Sequence, residues 1–108
     1  MVVRLKKKQR GCSRLTLNHF YYVFGIDCDD YRILNDSGDP CLYPPKAFEV
    51  VDPHEPVDWV TKYGDEGERY SYPPELDGVG FFEDYHDKRE DAVATFWHAV
   101  NKRLSGAP

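Results

Sequence analysis

Residues 20–24 read Phe-Tyr-Tyr-Val-Phe, and this run constrains the fold more than any other. Aromatic and β-branched side chains favour a pleated strand. Successive side chains on a strand point to opposite faces, so Tyr21 and Val23 share one side while Phe20, Tyr22 and Phe24 share the other. Both sides are apolar. A strand with one wet face has no use for such a pattern, so both faces of this strand are expected to be covered. One cover is the core of its own sheet. The other has to come from later in the chain.

Short strands surround this run. "VVRL" at 2–5 reads as a first strand, followed by a polar, basic loop. "YRILN" at 31–35 alternates, with Tyr31, Ile33 and Asn35 set against Arg32 and Leu34. "DSGD" supplies a tight turn in which Gly38 is free to take positive φ. "CLY" returns as a strand, "PPKAF" reads as a proline-initiated turn with one turn of 3₁₀ helix, and "FEVV" closes the series. Five short strands within about 50 residues, joined by tight turns, point to a small barrel. The expected class is α+β, mainly β.

Two additions follow within the same 108-residue domain. Residues 57–72 read as a hairpin: Trp59, Thr61 and Tyr63 alternate with Val60 and Lys62, "GDEG" turns, and Tyr70 and Tyr72 return. Residues 73–80 read as a loop that could lay Leu76 or Val79 over a barrel end as a plug. Residues 87–104 then read as a helix. Asp87 and Glu90 have capping-box spacing. Glu90 and Asp91 suit the positive end of the helix dipole, Lys102 and Arg103 the negative end, and Gly106 lies just past it. Val93, Phe96, Trp97, Val100 and Leu104 make one apolar stripe. Its natural dock is the outer aromatic face of residues 20–24.

The barrel core, residues 15–52, also carries a pattern: Leu15-Thr16, Tyr21-x-Val23, Tyr31-x-Ile33-x-Asn35-Asp36-x-Gly38, Tyr43-Pro44 and Phe48-Glu49-Val50. It resembles small bacterial SH3-like barrel proteins, which often read LT-x-GK-x-Y-x-V, Y-x-I-x-(N/D)D-x-G, YP and FE. The resemblance implies an SH3-like barrel, with the hairpin and helix added to it. It is nearly silent on activity. Proteins of this sort include interaction modules, some of them immunity proteins that sit beside toxins. The chain departs from the pattern at Asn18-His19, where Gly-Lys is usual, and at Phe20 and Tyr22, where polar residues are usual. Those departures agree with a covered outer face.

Charge narrows the function. Residues 1–14 carry six Lys/Arg and no acid, whereas residues 15–108 have a balance of −11. An acidic body repels phosphate and attracts basic partners. Around the second hairpin, Tyr63, Tyr70 and Tyr72 interleave with Asp65, Glu66 and Glu68. These six residues are the expected contacts of a non-enzymatic module that binds a basic protein. An immunity-type protein that blocks a basic toxin is one concrete version. The first alternative is a nucleic-acid-binding barrel using Lys6, Lys7, Lys8, Arg10 and Arg14. The second is an enzyme of unrecognised type.

Catalytic and metal motifs do not emerge. "DCDD" at 27–30 clusters three carboxylates and a thiol without EF-hand spacing, and reads as a solvated turn. "EDYHD" at 83–87 is explained by helix capping. No Cys/His spacing suits zinc, and there is no G-x-S-x-G, P-loop or G-x-G-x-x-G, so no cofactor is expected. Of Cys12, Cys28 and Cys41, Cys28 lies among acids and Cys41 reads as core. Cys12, in the basic loop, is the plausible reactive thiol. Three cysteines cannot all pair within one chain, and reduced thiols fit the cytoplasm. No run reaches the roughly 18 apolar residues that span a bilayer, and no apolar stretch follows the basic start, so the cytoplasm is the default location.

Overall fold

The computed structural model describes residues 1–8, 10 and 12–105. Seven strands run in chain order: β1 Val2–Leu5, β2 Phe20–Asp27, β3 Asp30–Leu34, β4 Pro40–Tyr43, β5 Phe48–Asp52, β6 Val60–Tyr63 and β7 Arg69–Tyr72. Helices α1, Phe81–His86, and α2, Glu90–Leu104, follow. The main path of the sheet is β4-β3-β2-β1-β5, and β7 joins the C-terminal end of β2 and carries β6 with it. All pairs are antiparallel. Among the described residues no ladder joins β4 to β5, so the sheet is not closed. The fold is mainly β with a C-terminal helix. Single 3₁₀ turns at Pro45–Ala47 and Pro74–Leu76 each begin with proline, which presets φ for the turn.

Two cores meet on β2. The inner one takes Val3 and Leu5 from β1, Tyr21 and Val23 from β2, Tyr31 and Ile33 from β3, and Tyr43 from β4, with Phe48 of β5 packed against it. The outer one joins Phe24 of β2 and Tyr72 of β7 to Leu76 and to Phe96, Ala99 and Val100 of α2. Along β2 the register shifts between Val23 and Gly25. An extra residue in one strand reverses which face later residues occupy. Phe24 therefore points outward, and Ile26, although of the same parity, returns to the inner core. Gly25 is required at the shift, because a β-carbon there would lie 2.3 Å from the Tyr72 ring.

The outer face is covered as the sequence requires, but over a shorter span. Tyr22 and Phe24 lie under the helices, whereas Phe20 is 61% exposed beneath the Arg4 guanidinium. Leu76 is buried in the outer core instead of plugging a barrel end, and Val79 is fully exposed. Cys12 is buried in the inner core and is not a reactive surface thiol. Cys41 is only partly buried, packed against the inner core. Residues 81–86, of which only the first bordered the expected loop, form a helix.

Helix α2 keeps its dipole charges, but the capping box does not form. Asp87 closes α1, its amide donating to the Glu83 carbonyl, and Arg89 occupies the N-cap with no side-chain cap. The buried face is also rotated: Ala92, Phe96, Ala99 and Val100 are buried, Val93 and Trp97 partly so, and Leu104 is exposed. Small Ala92 and Ala99 let the helix approach closely. Gly106 lies outside the described residues. Phe96 is the hub, fully buried, with ring centroids of Phe24, Phe82, Tyr85 and Trp97 between 4.8 and 6.2 Å away. Phe96→Ala is expected to cost about 3–5 kcal/mol in urea unfolding, and Leu104→Ala less than about 0.5 kcal/mol. Equal costs would contradict this packing.

Arg103 ties α2 to the rest. Its guanidinium grips Asp58 with two bonds, of 3.1 and 2.7 Å, and Glu75 with one of 3.0 Å. Arg103 holds the Asp58 carboxyl below its ordinary pKa. Burial raises that of Glu75, but its own backbone amide and Arg103 more than offset this. A carboxyl with a lowered folded-state pKa binds protons more readily when unfolded. Its stabilisation is complete above the ordinary value, near pH 4, and is lost as pH falls through the folded value. Stability is therefore expected to fall on acidification below about pH 4. Arg103→Gln should lower stability at pH 7 by on the order of 1–3 kcal/mol and flatten the acid limb. Urea titrations from pH 7 to pH 2 read both effects.

Candidate interaction surface

The surface is built where β2 turns into β3. Asp27 pairs with Asp30, leaving Cys28 and Asp29 as a two-residue loop with φ of 49° and 68°. Two successive left-handed residues make the turn whose twist suits a hairpin. The loop is pinned to β7: the Asp29 amide donates to the Arg69 carbonyl at 3.1 Å, and the Arg69 amide donates to Asp29 Oδ1 at 3.0 Å. The β6–β7 turn lies next to it. Tyr63 pairs with Arg69, Gly67 takes φ of 80°, and the Glu68 side chain folds over Gly64, where a β-carbon would strike it.

The Asp29–Arg69 contact brings the turn that carries Asp27, Asp29 and Asp30 next to the turn that carries Asp65, Glu66 and Glu68. Asp65 and Glu66 are exposed and make no ion pair among the described residues. Arg69 is taken up by Glu55 in a two-bonded ion pair and by Ser71 Oγ at 2.8 Å. Burial, and then repulsion from Asp27 and Asp29, raises the Asp30 carboxyl. That is the sign expected of concentrated negative charge.

The three tyrosines separate. Tyr63 is 69% exposed. Tyr70 is partly exposed, its hydroxyl hydrogen-bonded with the Cys28 side chain. That bond, burial and the charges of Cys28, Glu68 and Asp27 push its pKa up to about 12, so it remains neutral. Tyr72 is a correction: it is buried and offers no contact surface. Its ring packs 5.3 Å from Phe82. Its hydroxyl donates to Asp27 Oδ2 at 2.8 Å and accepts from Arg32 Nε at 3.1 Å. Burial raises its pKa strongly.

Arg32 is itself 8% exposed. It lies 4.0 Å over the Phe82 ring, donates to the Pro40 carbonyl at 3.1 Å and pairs with Asp27 at 3.5 Å. A buried guanidinium costs several kcal/mol unless it is paired and hydrogen-bonded. This one is held on all sides. The alternation at 31–35 does not distinguish it from an exposed arginine. Beside it, β7 and the segment from Leu76 to Glu83 enclose a cleft of about 320 Å³.

The basic residues lie at the other end of β2. Leu5 bonds to the His19 carbonyl, and the chain leaves there into Lys6, Lys7 and Lys8. Eight residues of strand separate the two ends by roughly 23 Å at the usual rise. Lys6 lies 3.7 Å from Glu49, Lys8 donates to the Leu15 carbonyl, and Arg14 pairs with Asp39 at 2.9 Å. Lys7 and Arg10 are exposed. Among the described residues no group of three or more His, Cys, Asp or Glu side chains converges as a metal site, and no helix is long and apolar enough to cross a membrane.

No protein-family model, curated protein or solved structure matches the chain. The surface therefore rests on its own geometry. The sequence pattern singled out the hairpin acids as expected contacts and took 27–30 for a solvated turn. The density of carboxylates there was visible, but its placement depends on the long-range pairing of Asp29 with Arg69. Tyr72→Phe is expected to cost about 1–3 kcal/mol, because Asp27 loses a donor and the buried Arg32 loses an acceptor. Urea unfolding measures it, and a change under about 0.5 kcal/mol would contradict the buried network.

Proposed function

We propose that this chain is a non-enzymatic interaction module that binds a basic protein through the acidic end formed by residues 27–30 and the β6–β7 turn. The observation that carries the reading is the pinning of Asp29 to Arg69, with Arg69 itself neutralised by Glu55. The two acidic turns thereby adjoin each other, with Asp65 and Glu66 exposed in the turn that follows exposed Tyr63, and with Asp27 and Glu68 close enough to act on half-exposed Tyr70. Rigid tyrosines among charges are typical anchors of protein contacts. An immunity-type protein that blocks a basic toxin is the concrete version. The underlying scaffold is an SH3-like barrel left open between β4 and β5. Supporting it are five short antiparallel strands contributing to one inner core. Nucleic-acid binding is less favoured, because Lys6, Lys8 and Arg14 already have partners within the chain.

Affinity capture from native lysate tests the proposal, with and without nuclease and at two salt concentrations. The expected result is a discrete basic protein, retained after nuclease and lost to the triple variant Asp65→Lys, Glu66→Lys, Glu68→Lys. Equal retention by that variant would refute the proposed surface. Recovery of nucleic acid alone, lost to the surface variant Lys7→Glu, Arg10→Glu, would support the basic segment instead.

A further inference from the structure

The cleft beside Arg32 gives the acidic surface a specific pocket. Its charged groups are three carboxylates, of Asp27, Asp77 and Glu83, against two cations, Arg32 and Lys62. Asp27 answers Arg32, and Asp77 answers Lys62 at 3.0 Å. Glu83 is exposed and has no ion pair among the described residues. The cleft thus retains one unbalanced negative charge. Its walls include the rings of Tyr70 and Phe81, and Gly78 and Gly80 lie at its edge. An entering anion meets a net negative lining. An entering cation meets an uncompensated carboxylate in a cleft that aromatic rings also line.

The protein already shows what such walls hold. Arg32 is stacked on an aromatic ring, bonded to a backbone carbonyl and paired with a carboxylate. Planar guanidinium groups favour this combination of a π face and oxygen acceptors. The rest of the cleft lining offers two of these elements again, with Phe81 and Tyr70 as rings and Glu83 as the carboxylate. It adjoins the acidic end directly, because Asp27 and Tyr70 belong to both.

We propose that this cleft receives an arginine side chain of the basic partner, as the central anchor of the contact. The inference rests on the reading of the chain as a module for basic proteins and names the part of the surface that selects among them. Burying one guanidinium in a fitted pocket concentrates binding energy as interface hot spots do, while the surrounding acids steer the approach.

The test uses the full ¹⁵N-labelled chain and two small probes, N-acetyl-arginine methylamide and its uncharged analogue N-acetyl-citrulline methylamide. The expected result is saturable shifts of the Tyr70, Gly78, Gly80 and Glu83 amides with the arginine probe and none with the citrulline probe. Glu83→Gln should weaken binding about fivefold, the scale of one partly exposed ion pair. Gly78→Leu gives a second variant. Gly78 lines the cleft and nothing lies within 4 Å of a β-carbon built there, so a leucine is tolerated without straining the fold; it is expected to crowd the cleft and abolish the shifts. Absence of shifts at these amides, or equal shifts with citrulline, overturns the proposal. An octa-arginine peptide separates it from the broader reading. If the peptide binds the chain and loses affinity in the Asp65, Glu66, Glu68 reversal, but ignores Glu83→Gln and Gly78→Leu, the cleft is wrong and the acidic surface stands. If the small probe fills the cleft while the peptide ignores the triple reversal, the cleft stands and the hairpin acids fall.

Discussion

The register shift in β2 between Val23 and Gly25 lets one strand serve two cores. A regular strand would keep Phe24 and Ile26 on one side. Here Phe24 faces the helices and Ile26 faces the inner core, so the sheet is clamped from both sides along a single strand. Everything later in the chain follows from that arrangement. Tyr72 can lie against Gly25 only because no side chain is there, and its approach brings β7 and the β6–β7 turn to the C-terminal end of β2. Removing the shift would turn Ile26 into the helix layer and displace Tyr72.

Arg32 converts this packing into electrostatics. It stands on the outer face of β3, enclosed by Phe82 of α1, Tyr72 of β7 and Asp27 of β2. A single buried cation thus links three elements and fixes a carboxylate at the foot of the acidic turn. Such a network is costly when partly satisfied and specific when complete. The partners of Arg32 are drawn from residues 27 to 82, so the network cannot form until the hairpin and α1 have docked.

The parts legible in the sequence are those governed by local alternation. Val2–Leu5, the strands from Phe20 to Asp52, the second hairpin and α2 follow from patterning over a few residues. The aromatic run at 20–24 foretold a second cover, and α2 supplies it. The failures share a cause in competition between neighbours. Asp87 and Glu90 have the spacing of a capping box, but Asp87 is already engaged in ending α1. Leu104 continues the stripe, but docking through Ala92 and Ala99 rotates it into solvent. Helix α1 carried a readable signal, since Phe81, Phe82 and Tyr85 face the outer core at spacings of one and four. Tyr72 and Cys12 looked exposed because they sit among polar residues in sequence; only long-range packing buries them.

The separation of charge along β2 has a dynamic consequence. Arg4, Lys6, Lys7 and Lys8 stand at one end of the strand, and Asp29, Asp30, Asp65 and Glu66 gather at the other. The two ends of this strand therefore differ in charge, one rich in cations and the other in carboxylates. In the field of a charged body, a molecule with such ends feels torque before it feels contact, and turns its acidic end toward a positive surface while still diffusing. Orientation, normally the slow part of encounter between two specific patches, is then partly solved by the field, to the extent that dissolved ions leave that field unscreened.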